Sequence, residues 1–272
     1  MTVLHRPSRN RAAIPWSLRL PALVAIVFLL LPLVGLLVRA PWSGLPRILG
    51  TPLVLDALRL SLLTSSIATV IALILGVPLA WVLARSRARG IGLLRALVTL
   101  PLVFPPVVAG VALLTAFGRR GVVGTWLDAW FGVSLPFTTT AVIMAETFVA
   151  MPFLVMTVEG AFRGADQGFE EAASTLGATR LTSFWRVTLP LIAPSVVAGA
   201  VLCWARALGE FGATITFAGN FPGQTQTVPL AVYLAMENDP DAAIALSLVL
   251  LVVSVCVLVG LRRSWWPSGG VR

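Results

Sequence analysis

Three ionisable side chains sit where the flanking sequence is otherwise apolar: Glu146, Arg206 and Glu210. A charge held at the centre of an apolar layer costs about 2.5–3.5 kcal/mol on insertion scales, so such residues face a protein interior or a watery path. Arg206 and Glu210 are one helical turn apart, a spacing that lets a guanidinium and a carboxylate pair. Two roles stay open for them: a structural ion pair that fixes helix packing, or polar lining of a path. Glu146 has no partner visible in the sequence, and a buried hydrogen-bonded carboxyl is its plainer role. Gly209-Glu210-Phe211-Gly212 closes an apolar run, and glycines on both sides of a charge suggest an interrupted helix whose backbone lines a cavity. Gly212, Thr214, Thr216 and Asn220 belong to the same stretch, and the last three offer neutral hydrogen bonds to a solute. Weak contacts suit passage, because tight binding slows release.

Other chemistry is excluded by what the chain lacks. All twenty basic residues other than the single histidine are arginine, so the lysine of a phosphate-binding P-loop is missing. Gly118-Arg119-Arg120-Gly121-Val122-Val123-Gly124 is therefore read as a turn leading to an amphipathic stretch, 125–131. His5 is the one histidine, which rules out a histidine-based zinc site, and neither a His-Glu-x-x-His motif nor a Gly-x-Ser-x-Gly elbow occurs. An intramembrane enzyme is thus a remote alternative, as is a membrane scaffold or sensor. Cys203 and Cys256 both lie in apolar runs, where small core residues are expected rather than a disulfide.

The elements that must position these residues follow from composition. The chain has 272 residues, 58% hydrophobic and only 11% charged, which excludes an ordinary soluble domain. The mean hydropathy is +0.94. Six apolar runs are read as membrane spans, near 20–38, 58–84, 96–117, 139–158, 191–208 and 242–261. The first, at about 1.5 Å per residue, covers about 28 Å, enough to cross a bilayer. Its length and the arginine just before a possible processing site favour an uncleaved helix over a signal peptide. Pro101, Pro105, Pro106 and Gly110 mark the third span as kinked, and Pro152 lies within the fourth. The net charge of +9 invites a nucleic-acid reading, but the arginines alternate between loops. Fourteen fall on one side of the six spans, four on the other and two within them, which predicts both termini in the cytoplasm and no nucleic-acid partner. The all-α polytopic chain divides into 1–52 (arm, first span and first external loop), a core of five spans at 53–261 and a tail at 262–272.

Between the fourth and fifth spans, a cytoplasmic loop at 159–189 contains Glu170-Glu171-Ala172-Ala173-Ser174-Thr175-Leu176-Gly177-Ala178-Thr179. A helix from about Gln167 would put Ala173 and Gly177 on one face with Ala172 beside them, letting another surface approach the backbone. Glu171 falls in the first turn, where the helix dipole favours an anion, and Gly177 can end the helix in a left-handed cap. A short helix follows, and Pro190 opens the next apolar run. A helix lying on lipid is the plainer alternative. The order Glu171-Ala172-Ala173, Gly177, Val187, Leu189-Pro190 nevertheless resembles the "EAA" loop of ABC-importer permeases, with Val187 where that family usually has isoleucine. The resemblance implies a coupling helix, Glu171, Ala172, Ala173, Leu176 and Gly177 among its residues, that docks in a groove of an ATPase subunit.

Arg206-Ala207-Leu208-Gly209-Glu210-Phe211-Gly212 looks like the fifth-helix motif of the sulfate and molybdate permease group. Ala213 to Phe217, Asn220, Pro222-Gly223, Thr225-Gln226-Thr227, Pro229-Leu230-Ala231 and Tyr233 are similar to the molybdate branch, as are 100–103, 105–108 and 150–153. The resemblance covers about Leu53 to Leu261. It implies a type I ABC-importer permease fold in a bacterial plasma membrane and a homodimer. It also implies a cytoplasmic dimer of ATPase subunits that carry ATP and Mg, and an extracytoplasmic molybdate-binding protein. No cofactor is expected in this chain. Tungstate and sulfate remain alternatives. Arg119 and Arg120 on one external loop, with Glu237, Asp239 and Asp241 on another, are expected to orient the binding protein.

Overall fold

The computed structural model describes residues 16–265. Arg6, Arg9 and Arg11 of the expected basic arm, and the end of the expected tail, lie outside the described residues. Among the described residues every regular element is a helix. α1 is Trp16–Val38, α2 Leu45–Leu49, α3 Pro52–Arg85, α4 Ile91–Val103, α5 Pro106–Phe117, α6 Gly124–Phe131 and α7 Thr139–Gly164. Then come α8 Gly168–Thr175, α9 Arg180–Ser183, a π-turn Phe184–Thr188, α10 Leu189–Leu208, α11 Gly212–Ala218, α12 Val228–Asn238 and α13 Pro240–Trp265.

Five stretches (α1, α3, α7, the continuous run Arg180–Leu208 and α13) are long and apolar enough to cross a bilayer. The expected third span is not one kinked helix. It is the pair α4 and α5, bent by 118° where they meet, and the count of six holds when that pair is taken as one span. The cause is local. Pro105 and Pro106 remove two consecutive amide donors, and a residue before proline avoids the helical region. Phe104 and Pro105 accordingly take extended backbone, at ψ 133° and 134°.

α7 runs between α3 and α10. Lipid chains are as apolar as leucine, so such helices are held by close packing and interhelical hydrogen bonds, and small residues let backbones approach. α3 buries just such a stripe: Ala57, Ser61, Ser65, Ala68, Ala72, Gly76 and Ala80. Ala68, Ala72 and Ala80 pack with Ala150, Leu154, Val158 and Phe162 of α7 and with Ile192, Cys203 and Ala207 of α10. A β-carbon at Gly76 would lie 3.1 Å from both Leu154 Cδ2 and Val155 Cγ2. A second core joins Ala109 and Leu113 of α5, Ala141, Val142 and Ala145 of α7, and Ala213 and Phe217 of α11. α1 stands outside these cores with no buried residue.

The stretch after Asn220, read from sequence as loop, contains α12. Its Val228 and Ala231 are buried against Val54 and Ala57 of α3 and Leu246 of α13, and the Val228 amide donates to Ser61 Oγ at 2.8 Å.

Candidate functional site

The Glu-Ala-Ala stretch forms α8, which starts after Gln167 without a side-chain cap and ends as its composition requires. The Gly177 amide donates to the Ser174 carbonyl at 3.0 Å, and the Ala178 amide to the Ala173 carbonyl at 3.0 Å. These two bonds make a Schellman cap, which needs a left-handed residue, and Gly177 supplies it at φ +85°. Gly177 therefore lies beyond the helix rather than on a face shared with Ala173. Glu171, Ala172, Leu176 and Gly177 are exposed, whereas Ala173 is half-buried. Leu176 is 89% exposed and Phe169 is 55% exposed. Phe169, Ala172 and Leu176 follow at i, i+3 and i+7, so α8 and its cap present an apolar stripe. The sequence reading missed Phe169, although that period would have found it.

Behind α8 the chain is stitched by ion pairs. Glu170 Oε1 accepts from Arg85 Nη2 at 2.7 Å and from Thr188 Oγ1 at 3.0 Å. Glu159 Oε1, near the end of α7, receives Arg95 Nε at 2.8 Å and pairs with Arg163 Nη2 at 2.9 Å. Arg95 also donates to the Leu83 carbonyl at 3.2 Å, binding α4 to α3.

Deeper in the helix bundle the chain breaks where its glycines indicated, between Leu208 and Gly212. Arg206 and Glu210 are joined, with Arg206 Nη2 2.5 Å from Glu210 Oε2. The other oxygen of Glu210 accepts the Ala213 amide at 2.8 Å, one of the donors that the start of α11 leaves free. Glu210 is 1% exposed, and its bonds are to this chain's own backbone and Arg206, so it braces the break. Arg206 is different: it lines a cavity of about 180 Å³ together with Pro101, Phe104, Pro106, Ala109, Val149 and Phe153, beside the α4–α5 bend.

Of the remaining expected path residues, Gly212, Thr214 and Thr216 share α11 and Asn220 follows it. A β-carbon at Gly212 would collide with Pro106, and one at Gly110 would come within 2.5 Å of Thr216 Cβ. Gly212 and Thr216 therefore form the seam between α11 and α5. Thr216 Oγ1 donates back to the Gly212 carbonyl at 2.8 Å. Thr214 is fully buried, and neither its hydroxyl nor Asn220 Oδ1 has a hydrogen-bond partner. Glu146 has the partner the sequence could not reveal: Thr64 Oγ1 of α3 donates to its Oε1 at 2.9 Å. At the end of the bundle away from α8, Arg119 Nε donates to Asp128 Oδ2 of α6 at 3.1 Å, and the Arg119 side chain stays 73% exposed. No cluster of metal-ligating side chains occurs among the described residues.

A bent pair, a broken fifth span with a short helix behind it and an exposed loop helix are the parts of a transport permease. The chain belongs to the family described as "Binding-protein-dependent transport system inner membrane component", which matches residues 72–263. It is accordingly a polytopic inner-membrane protein and a transport component rather than a catalyst. Within that family it is 52% identical to the molybdenum transport system permease protein ModB of Mycobacterium tuberculosis, over 91% of this chain and 93% of that one. It is 36% identical to the sulfate transport system permease protein CysT of Escherichia coli, over 90% of each. Its fold is that of ABC-importer permeases. A chain of a bacterial alginate ABC transporter, solved with a pentasaccharide-bound periplasmic protein, superposes with a TM-score of 0.72 over 92% of this chain and 91% of that one, at 19% identity.

Proposed function

We propose that this chain is the membrane-spanning subunit of an ATP-driven importer for molybdate. It works as a homodimer, with both termini in the cytoplasm. An extracytoplasmic binding protein delivers the oxyanion, and two cytoplasmic ATPase subunits, which hold ATP and Mg, grip α8 through Glu171, Ala172, Ala173, Leu176 and Gly177. The observation that carries the choice of oxyanion is the 52% identity, over nearly all of both chains, to a relative named for molybdenum transport, against 36% to one named for sulfate.

The geometry supports a division of labour along the path. Arg206 offers the cavity beside the α4–α5 bend a guanidinium, which attracts an oxyanion, and its partial pairing with Glu210 moderates that attraction. Thr214, Thr216 and Asn220 contribute neutral donors when α11 moves against α5, and Gly212 permits the close approach from which that movement starts. The test is reconstitution of the chain with its ATPase and binding protein in proteoliposomes, measuring ATP-dependent uptake of labelled molybdate. Uptake that excess unlabelled molybdate suppresses and excess sulfate does not is the expected result. Equal suppression by sulfate would overturn the choice of oxyanion.

A further inference from the structure

The two adjacent carboxylates of α8 differ in their partners and exposure. Glu171 is exposed, whereas Glu170 turns inward. One oxygen of Glu170 is shared by Arg85, the last residue of α3, and by Thr188, the last residue of the π-turn that opens α10. Thr188 is 2% exposed, and its hydroxyl reaches the Glu170 carboxylate at 3.0 Å and, more distantly, the Ser183 carbonyl at 3.4 Å. α8 does not lie flat on the helices behind it. It stands over a cleft of about 440 Å³ lined by Trp81, Arg85, Glu171, Ser174, Arg180 and Phe184. Beside that cleft α8 touches the π-turn and continues into α9, and Glu170 is the α8 side chain that hydrogen-bonds to the ends of the two long helices.

The π-turn gives this connection its second feature. The Leu189 amide reaches back five residues to the Phe184 carbonyl, and Pro190, next in sequence, has no amide to donate to Arg186. Turns of this kind are rare and cluster at functional positions, because the extra residue can be absorbed when the helix shifts. α10 leads from Thr188 to Arg206, Glu210 and α11, while α3 carries Thr64 to Glu146 of α7.

We infer that Glu170 is the positioning residue that delivers movement of the docking helix into the membrane. Its carboxylate ties α8 to α3 through Arg85 and to α10 through Thr188, so that a displacement of α8 shifts both helices together. This rests on the reading of α8 as the ATPase-docking helix. Glu171 and Leu176 hold the ATPase, and Glu170 passes the stroke on.

The experiment uses the full importer, the chain with its ATPase and binding protein, in proteoliposomes. It records molybdate imported per ATP hydrolysed and, separately, the ATPase retained on the affinity-tagged chain. Glu170→Ala is expected to retain as much ATPase as the unaltered chain while import per ATP falls at least about fivefold. Thr188→Val, which deletes a single hydroxyl, is expected to lower the ratio about two- to threefold, and Thr188→Ser to restore it. Should Glu170→Ala not fold, the valine and serine variants decide alone. An unchanged ratio in Glu170→Ala or Thr188→Val overturns the inference. So does loss of the ATPase from an otherwise folded Glu170→Ala chain, since that makes Glu170 a docking residue. Failure of the unaltered chain to hold any ATPase would instead bring down the docking reading itself, before a variant is made.

Discussion

Replacing Gly177 with aspartate should separate docking from folding. Gly177 sits at φ +85°, and a β-carbon there meets nothing within 4 Å, so the substitution creates no clash inside the chain. Its internal cost is backbone strain, about 1–2 kcal/mol for an ordinary L-residue in the left-handed region and less for aspartate or asparagine, which tolerate it. That strain is confined to a solvent-exposed cap and leaves the helix bundle untouched. The consequence at an interface is larger. The carboxylate adjoins Leu176, which is 89% exposed and which the proposed docking covers. Leaving a charge there desolvated and unpaired costs about 2 kcal/mol or more, roughly thirtyfold in affinity. Gly177→Asn shares the backbone tolerance without the charge and separates the two terms. The assay is retention of the ATPase on the tagged chain in detergent, with membrane levels measured in parallel. Gly177→Asp should reach normal levels yet lose most of the ATPase, and Gly177→Asn should lose much less. Full retention by Gly177→Asp, with uptake intact, would refute the reasoning.

Two further substitutions address the buried break. Glu210→Ala strands Arg206 without its partner and leaves the Ala213 amide unsatisfied, so the purified chain should lose about 3–5 kcal/mol of stability, read as a lower unfolding midpoint in detergent. Gly110→Ala should cost about 1–3 kcal/mol by wedging α5 from α11 and should reduce uptake. Gly160→Ala, where a β-carbon meets nothing within 4 Å, should match or slightly exceed the unaltered chain in the same unfolding assay.

Local backbone demands were legible before any coordinates. Gly177 ends α8 because a left-handed cap needs glycine, and the Gly209–Gly212 interruption is where α10 stops. The double proline at 105–106 announced the break between α4 and α5, but its 118° angle was not written in the local pattern, nor was the packing of α5 against α7 and α11. What stayed hidden was long-range. Thr64 is 82 residues from Glu146, and Arg85 is 85 residues from Glu170; no local pattern relates them. α12 escaped notice because Thr225-Gln226-Thr227 and the acidic residues Glu237, Asp239 and Asp241 frame it like a surface loop. Only its burial against α3 and α13 makes the helix worthwhile. The spacing of Arg206 and Glu210 could not show that Glu210 is enclosed and bonded to the start of α11, or that Arg206 lines a cavity.

The most direct measurement places a thiol on the docking surface. Leu176→Cys, with Cys203 and Cys256 replaced by alanine, can be treated with a membrane-impermeant maleimide in sealed vesicles of either orientation, with and without the ATPase. The account predicts labelling only in inverted vesicles, where the cytoplasmic face is outermost, and protection when the ATPase is bound. Labelling of right-side-out vesicles, or labelling that the ATPase leaves unchanged, would contradict it.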